Sequence, residues 1–162
     1  MRIIGIDPGA TGAIAVIDLD AFILEIFDMP VSLREQAEII NKFNSDDRAC
    51  IEKPFTNTTG DGDKELAKLV RKLPLLANYN QLIGMLVSNN VPVQSVAPRS
   101  WQAVFSVKGK SAGNDSIARS LKVFGDISEQ LIVGRKRMHG RSDALLIAEW
   151  KRLQILEQQK AV

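Results

Sequence analysis

Residues 2–29 read RIIGIDPGATGAIAVIDLDAFILEIFDM, and this stretch decides the fold. RIIGID (2–7) is β-branched and apolar and is stopped by Pro8-Gly9, which predicts a buried strand. AIAVIDLD (13–20) and AFILEIFDM (21–29) are apolar enough for two more. The short links predict an antiparallel meander, ended by Pro30. VSLREQAEIINKFN (31–44) has apolar residues at Val31, Leu33, Ala37, Ile39, Ile40 and Phe43. That is helical spacing, with Ser32 and Glu35 placed as a capping box. RACIEKP (48–54) returns to a short buried strand.

Beyond the turn-rich TNTTGDGD (56–63), a helix is expected from about Lys64, with Pro74 breaking or kinking it. A helical pattern resumes over 75–89 through Leu75, Tyr79, Leu82, Ile83 and Leu86. VPVQSVA (91–97) is the next strand, and PRSWQAVF (98–105) a helix opened by Pro98. A basic loop, VKGKSAGN (107–114), precedes a helix over 115–125 with Gly125 as its C-cap. The basic run GRKRMHGR (134–141) leads into a final helix, SDALLIAEWKRLQILEQ (142–158). A meander followed by alternating helices and strands predicts an α/β chain whose mixed five-stranded sheet is flanked by helices. A ribonuclease-H-like fold, in one domain over 1–162, is what this order fits.

The 162 residues are 45% hydrophobic and 25% charged, an ordinary globular balance. One cysteine, Cys50, and one histidine, His139, exclude a disulfide framework and a Cys/His zinc site. The opening MRIIGIDPGATG has no basic-then-apolar leader pattern and no run reaches membrane-spanning length, so a soluble cytoplasmic protein is expected. Charge is divided along the chain. Residues 1–63 carry five Lys/Arg against twelve Asp/Glu, and residues 64–162 carry sixteen against seven. An acidic site and a polyanion-facing surface are one reading; two solvated faces are the other.

Three carboxylates stand out. Asp7 ends the first strand, where open α/β sheets place their sites, although an Asp before Pro-Gly also forms turns. Glu52 follows the apolar Ala49-Cys50-Ile51; an ion pair would explain it, but adjacent Lys53 faces the other way. Asp143 lies in the first turn of the last helix, where it also complements the dipole. Carboxylates converging on one point repel unless cations hold them, and oxygen-only ligands suit Mg²⁺ or Mn²⁺. Such a site beside cations suits in-line displacement at a phosphodiester. The cations are present: Lys108 and Lys110 on a loop, and Arg135, Lys136, Arg137 and Arg141 before Asp143. Gly109-Lys110-Ser111 is not a P-loop, because Val104 stands where glycine is required, so no nucleotide cofactor is expected.

In order, IGIDPGATGAIAV (4–16), CIEKPF (50–55), VPVQSVAPRSWQ (91–102) and HGRSDALLIAEW (139–150) resemble the RuvC-type Holliday junction resolvases. The short opening, NYNQLIGML (78–86) and HGRSDALLIAE are similar to the phage and organellar branch. The resemblance implies a homodimeric, divalent-metal endonuclease that cuts four-way DNA junctions by paired cleavage. The ends left are 5′-phosphate and 3′-hydroxyl. It makes Asp7, Glu52 and Asp143 the holders of two Mg²⁺ ions, with Mn²⁺ a substitute. The bacterial pattern has a further ligand where this chain has Gly140, which makes neighbouring His139 a candidate ligand, proton carrier or phosphate contact, beside no role at all. Phe55 falls where the family stacks an aromatic on bases, a core Phe being the alternative. Lys108 and Lys110 fall in its DNA-contact loop. A phage gene product acting in a bacterial cell, on nucleoid DNA, is the implied setting. The helix at 75–89 is the expected dimer interface, as it carries more apolar surface than one sheet face needs.

Other classes remain to be weighed. A different nuclease of the same fold, acting on other branched DNA or on RNA–DNA hybrid, would share every carboxylate. Actin-like ATPases and sugar kinases open with a similar GIDPG but need two domains around a cleft. A junction-binding module would need cations but not a carboxylate cluster.

Overall fold

The computed structural model describes residues 1–55, 63–108 and 112–161, with the side chains of 63–65 and 112–114 outside the description. The meander forms as β1 (Ile3–Asp7), β2 (Ala13–Ile17) and β3 (Ile23–Asp28), each antiparallel to the next. On the other side of β1, β4 (Arg48–Glu52) and β5 (Val93–Val96) each lie parallel to the neighbour. The five-stranded order is β3-β2-β1-β4-β5. Parallel neighbours require crossovers. Helices α1 (Leu33–Ile40) and α2 (Asp63–Ser88) lie in them. After β5 come α3 (Pro98–Phe105), α4 (Ala112–Phe124), the one-turn α5 (Ser128–Leu131), a hairpin of β6 (Ile132–Val133) and β7 (Lys136–Arg137), and α6 (His139–Lys160). This is the mixed, helix-flanked sheet of a ribonuclease-H-like fold.

Side chains alternate across a strand, so the sheet has two cores. Ile4, Ile6, Ile14, Val16 and Ile51 pack on Ile40, Phe43, Leu82 and Leu86, from α1 with its following turn and from α2. Ile3, Ala13, Ala15 and Ile17 face Leu145 and Ala148 of α6, and Cys50 and Val96 extend that side onto Trp101 and Leu146. Gly5 sets the depth of α6. A Cβ there would run into the Ala144 carbonyl and the Ala148 amide, so only glycine lets the helix press on β1.

Local signals hold at several points. Ser32 Oγ accepts from the Glu35 amide at 3.2 Å and donates to its carboxylate, completing the capping box. Gly125 closes α4 at φ +78°.

Of the break or kink expected at Pro74, the break is absent: α2 runs unbroken over Asp63–Ser88. Pro74 and Val70 are exposed, so water can reach the carbonyl that the proline ring leaves without a donor. In the 75–89 half, Leu82 and Leu86 are buried in the core, with Tyr79, Ile83 and Met85 packed against it, while Val87 is exposed. An exposed apolar stripe also lies earlier, at Leu66, Val70 and Leu73.

Candidate active site

β1 and β4 are parallel neighbours, with Gly5 opposite Cys50 and Ile6 opposite Ile51. One residue further, Asp7 and Glu52 end the two strands on the α6 side of the sheet. Asp143 comes from α6 itself, beside the Ala144 that overlies Gly5. The close approach allowed by glycine therefore brings a third carboxylate over the ends of two strands.

Burial and mutual repulsion show in their acidities. Burial raises the Asp7 carboxyl above the ordinary range, opposed by the Gly9 amide, which donates to Oδ1 at 3.0 Å. Glu52 is pushed up to about 7 by burial, opposed by the Trp101 indole and assisted by the charges of Asp7 and Asp143. Asp143 is likewise pushed up to about 7 by burial, opposed by the Ser116 hydroxyl and assisted by Asp7. No Lys or Arg is among the groups that shift them. Carboxyls raised together at the ends of two adjoining strands mark a candidate functional site.

Among the described residues, no three Asp, Glu, His or Cys side chains are drawn tightly enough together to form a finished metal site. The donor chemistry nevertheless fits a hard divalent ion: carboxylate oxygens only, half-buried, mutually repelling and, among the described residues, with no basic group shifting them.

The PGATG turn is built around Asp7. A Cβ on Gly12 would collide with the Asp7 carbonyl and carboxyl, and one on Gly140 with the Thr11 carbonyl and Gly12 backbone. The second contact explains the departure at 140, where the packing leaves no room for any ligand-bearing side chain. His139, one residue back, is exposed. With Thr11, Asp28, Lys136 and Arg137 it lines a cavity of about 290 Å³.

The remaining candidates divide. Phe55 is exposed, not in the core; its carbonyl accepts from Lys72 Nζ at 2.8 Å, and that ammonium lies 5.6 Å from the ring centroid. Lys108 is exposed, its backbone amide donating to Asp115 at 3.2 Å. Lys110 lies outside the described residues. Arg135, Lys136 and Arg137 are exposed on the β6–β7 hairpin, an element the sequence reading did not identify within the basic run. Arg141 is engaged elsewhere: its guanidinium grips Asp28 through bonds of 2.7 and 2.9 Å and donates to the Gln130 carbonyl. It joins the end of β3 to the segment before the hairpin.

Sequence reading missed three partners. Trp101 Nε1 donates to Glu52 Oε2 at 2.6 Å. Asn78 Nδ2 donates to the Pro8 carbonyl at 2.7 Å, and Gln36 Nε2 to Asn78 Oδ1 at 2.8 Å, tying α1 and α2 to the turn after Asp7. Only the tryptophan carried a signal, as a large residue in the first turn of a Pro-initiated helix.

The sheet order and the crossing of α6 over β1 define a ribonuclease-H-type fold. Among solved structures, the chain is similar to T. thermophilus RuvC in complex with Holliday junction substrate. That similarity has a TM-score of 0.61 at 19% identity, covering 95% of this chain and 96% of that one. A second Thermus thermophilus RuvC structure matches with TM-score 0.51 at 16% identity, over 91% of each chain. At such identities the likeness establishes a RuvC-like fold. No family model and no curated protein matches the chain. Among the described residues, no helix is long and apolar enough to cross a membrane.

Proposed function

We propose that the chain is a divalent-metal-dependent endonuclease that resolves four-way DNA junctions by paired phosphodiester cleavage. The observation that carries this is the set of three half-buried carboxylates, Asp7, Glu52 and Asp143, with no basic partner among the described residues, on a RuvC-like fold. A solved RuvC binding a Holliday junction through the same fold supports the substrate class. The phage and organellar likeness of the motifs supports a phage-encoded enzyme acting in the host cytoplasm.

Asp7, Glu52 and Asp143 would together hold two Mg²⁺ ions, with Mn²⁺ as a substitute. Bound there, such ions lower the pKa of an attacking water and stabilise the leaving 3′ oxygen. The protein's own part is placement. The Gly9 amide fixes one Asp7 oxygen and leaves the other for a ligand. Lys108 and the exposed Arg135, Lys136 and Arg137 draw phosphates toward the acids, which alone would repel them. Lys110 joins them on sequence grounds. His139, exposed on the adjoining cavity, is placed to contact a phosphate or carry a proton. Phe55, exposed three residues after Glu52, offers a face for a base to stack on.

Two sites related by a two-fold axis would nick two strands of a pseudo-symmetric junction. The exposed Leu66, Val70 and Leu73, spaced i, i+4, i+7 on α2, supply a stripe for such pairing.

The test is cleavage of a labelled four-way junction with Mg²⁺ or Mn²⁺, beside linear duplex, forked DNA and RNA–DNA hybrid. Paired nicks in the junction alone, lost in Asp7→Asn while binding persists, are expected. Equal cutting of all substrates would replace the resolvase with a general nuclease. Binding without cutting under either metal would overturn the enzyme.

A further inference from the structure

We infer that Trp101 is a positioning residue for the acidic site: its indole N–H fixes the Glu52 carboxylate so that one oxygen is held by protein and the other faces the cation position. This rests on the metal-site reading of Asp7, Glu52 and Asp143 and names a residue that reading did not need.

The geometry carries it. β5 pairs with β4 through to Glu52 opposite Val96, and the Lys53 amide adds a bond to the Val96 carbonyl at 2.8 Å. The chain then turns at once into α3, whose Pro98 start places Trp101 one turn later, over the end of β4. Trp101 is 1% exposed, packed among Cys50, Val96, Val107, Leu146 and Ile147. A ring held on all sides has no freedom to aim elsewhere. Its single polar atom reaches Glu52 Oε2 at 2.6 Å, while Oε1 accepts no hydrogen bond among the described residues.

The choice of donor is also telling. An Arg or Lys here would satisfy Glu52 and neutralise it, competing with a divalent ion for the same charge. An indole N–H orients the carboxylate without adding charge, and carboxylates that bind metals are commonly oriented by such outer hydrogen bonds. Among the described residues, Trp101 is the hydrogen-bond donor that acts on the Glu52 carboxyl.

The chain has two tryptophans, Trp101 and Trp150, hence two indole N–H signals in a ¹⁵N–¹H correlation spectrum of the full chain. Titrating Mg²⁺ is expected to move the Trp101 signal and leave that of Trp150 in place, and Glu52→Gln is expected to abolish the movement. By calorimetry, Trp101→Phe, which keeps an aromatic ring but removes the donor, is expected to weaken Mg²⁺ or Mn²⁺ binding roughly tenfold or more. Metal-free junction binding is expected to be unchanged. A Trp101 signal indifferent to Mg²⁺ in wild type that binds the ion would overturn the inference, even if the phenylalanine variant fails to fold. So would a folded Trp101→Phe with wild-type metal affinity. Absence of any Mg²⁺ or Mn²⁺ binding by the wild type would overturn the metal site itself and this inference with it.

Discussion

Carboxylates stand at both ends of strands β1 and β4, and the two ends are built on opposite terms. At the bottom, Asp47, just before β4, is 2% exposed and accepts four hydrogen bonds: the Arg2 amide and Nε at 3.0 Å each, Arg2 Nη2 at 2.6 Å and the Asn44 amide at 3.1 Å. Burial alone would raise its carboxyl, but the bonds from Arg2 and Asn44 win and hold it below its usual value. At the top, Asp7, Glu52 and Asp143 each have one neutral donor named against their burial, and all three are raised. The bottom end is finished as structure. The top end holds three raised carboxyls against neutral donors only, and the proposed cation site rests on that arrangement.

The comparison is broken most sharply from below. Asp47→Ala should destabilise the fold by about 3 kcal/mol, because it strips a buried ion pair and leaves two backbone amides without an acceptor. Chemical denaturation measures this; a loss well under 1 kcal/mol would refute the bottom-end account. The same kind of change at the top should do the reverse. Asp143→Asn should stabilise the metal-free chain at pH 8 by about 1–2 kcal/mol while abolishing cleavage, since it removes a charge the fold holds at a cost. Destabilisation without loss of cleavage would contradict it.

pH sharpens the same contrast. Glu52 and Asp143 titrate near 7 in the folded chain, against roughly 4 when unfolded, so the folded state holds their protons more tightly. Their contribution is fully present below about pH 4 and is lost as pH rises from there to about 7. Asp47 acts oppositely: its contribution is present above its unfolded value and is lost as pH falls through its depressed folded value. Metal-free thermal stability should therefore peak on the acidic side and decline toward neutrality, a decline that Asp143→Asn flattens. The smallest effect is expected at Asn78. Asn78→Ala removes the bond to the Pro8 carbonyl and should cost about 1 kcal/mol of stability, with a modest fall in cleavage rate, as the turn after Asp7 loses its tie to α2.

What the sequence made legible follows from which signals are local. β1 to β5 announced themselves as apolar runs bounded by Pro and Gly. The Ser32–Glu35 box and Gly125 marked real helix ends. The three acids were legible because a charged residue at the end of an apolar strand, or in a motif, needs an explanation. The helix passes Pro74 without a break because proline's cost depends on whether its orphaned carbonyl meets water, which is a tertiary fact. The β6–β7 hairpin was hidden because its strands are two residues each and partly basic. The partners were invisible for the same physical reason: Trp101 and Glu52 are 49 residues apart, Asn78 and Pro8 70, and Arg141 and Asp28 113. No periodicity reports on contacts of that range.

The most direct test of the central claim is thermal unfolding at pH 8 of wild type and Asp143→Asn, each with and without Mg²⁺. The account predicts that Mg²⁺ raises the wild-type Tm by several degrees and leaves that of the variant almost unmoved, because the ion relieves a repulsion the variant no longer has. An equal response in both chains, or none in either, would contradict a cation site formed by Asp7, Glu52 and Asp143.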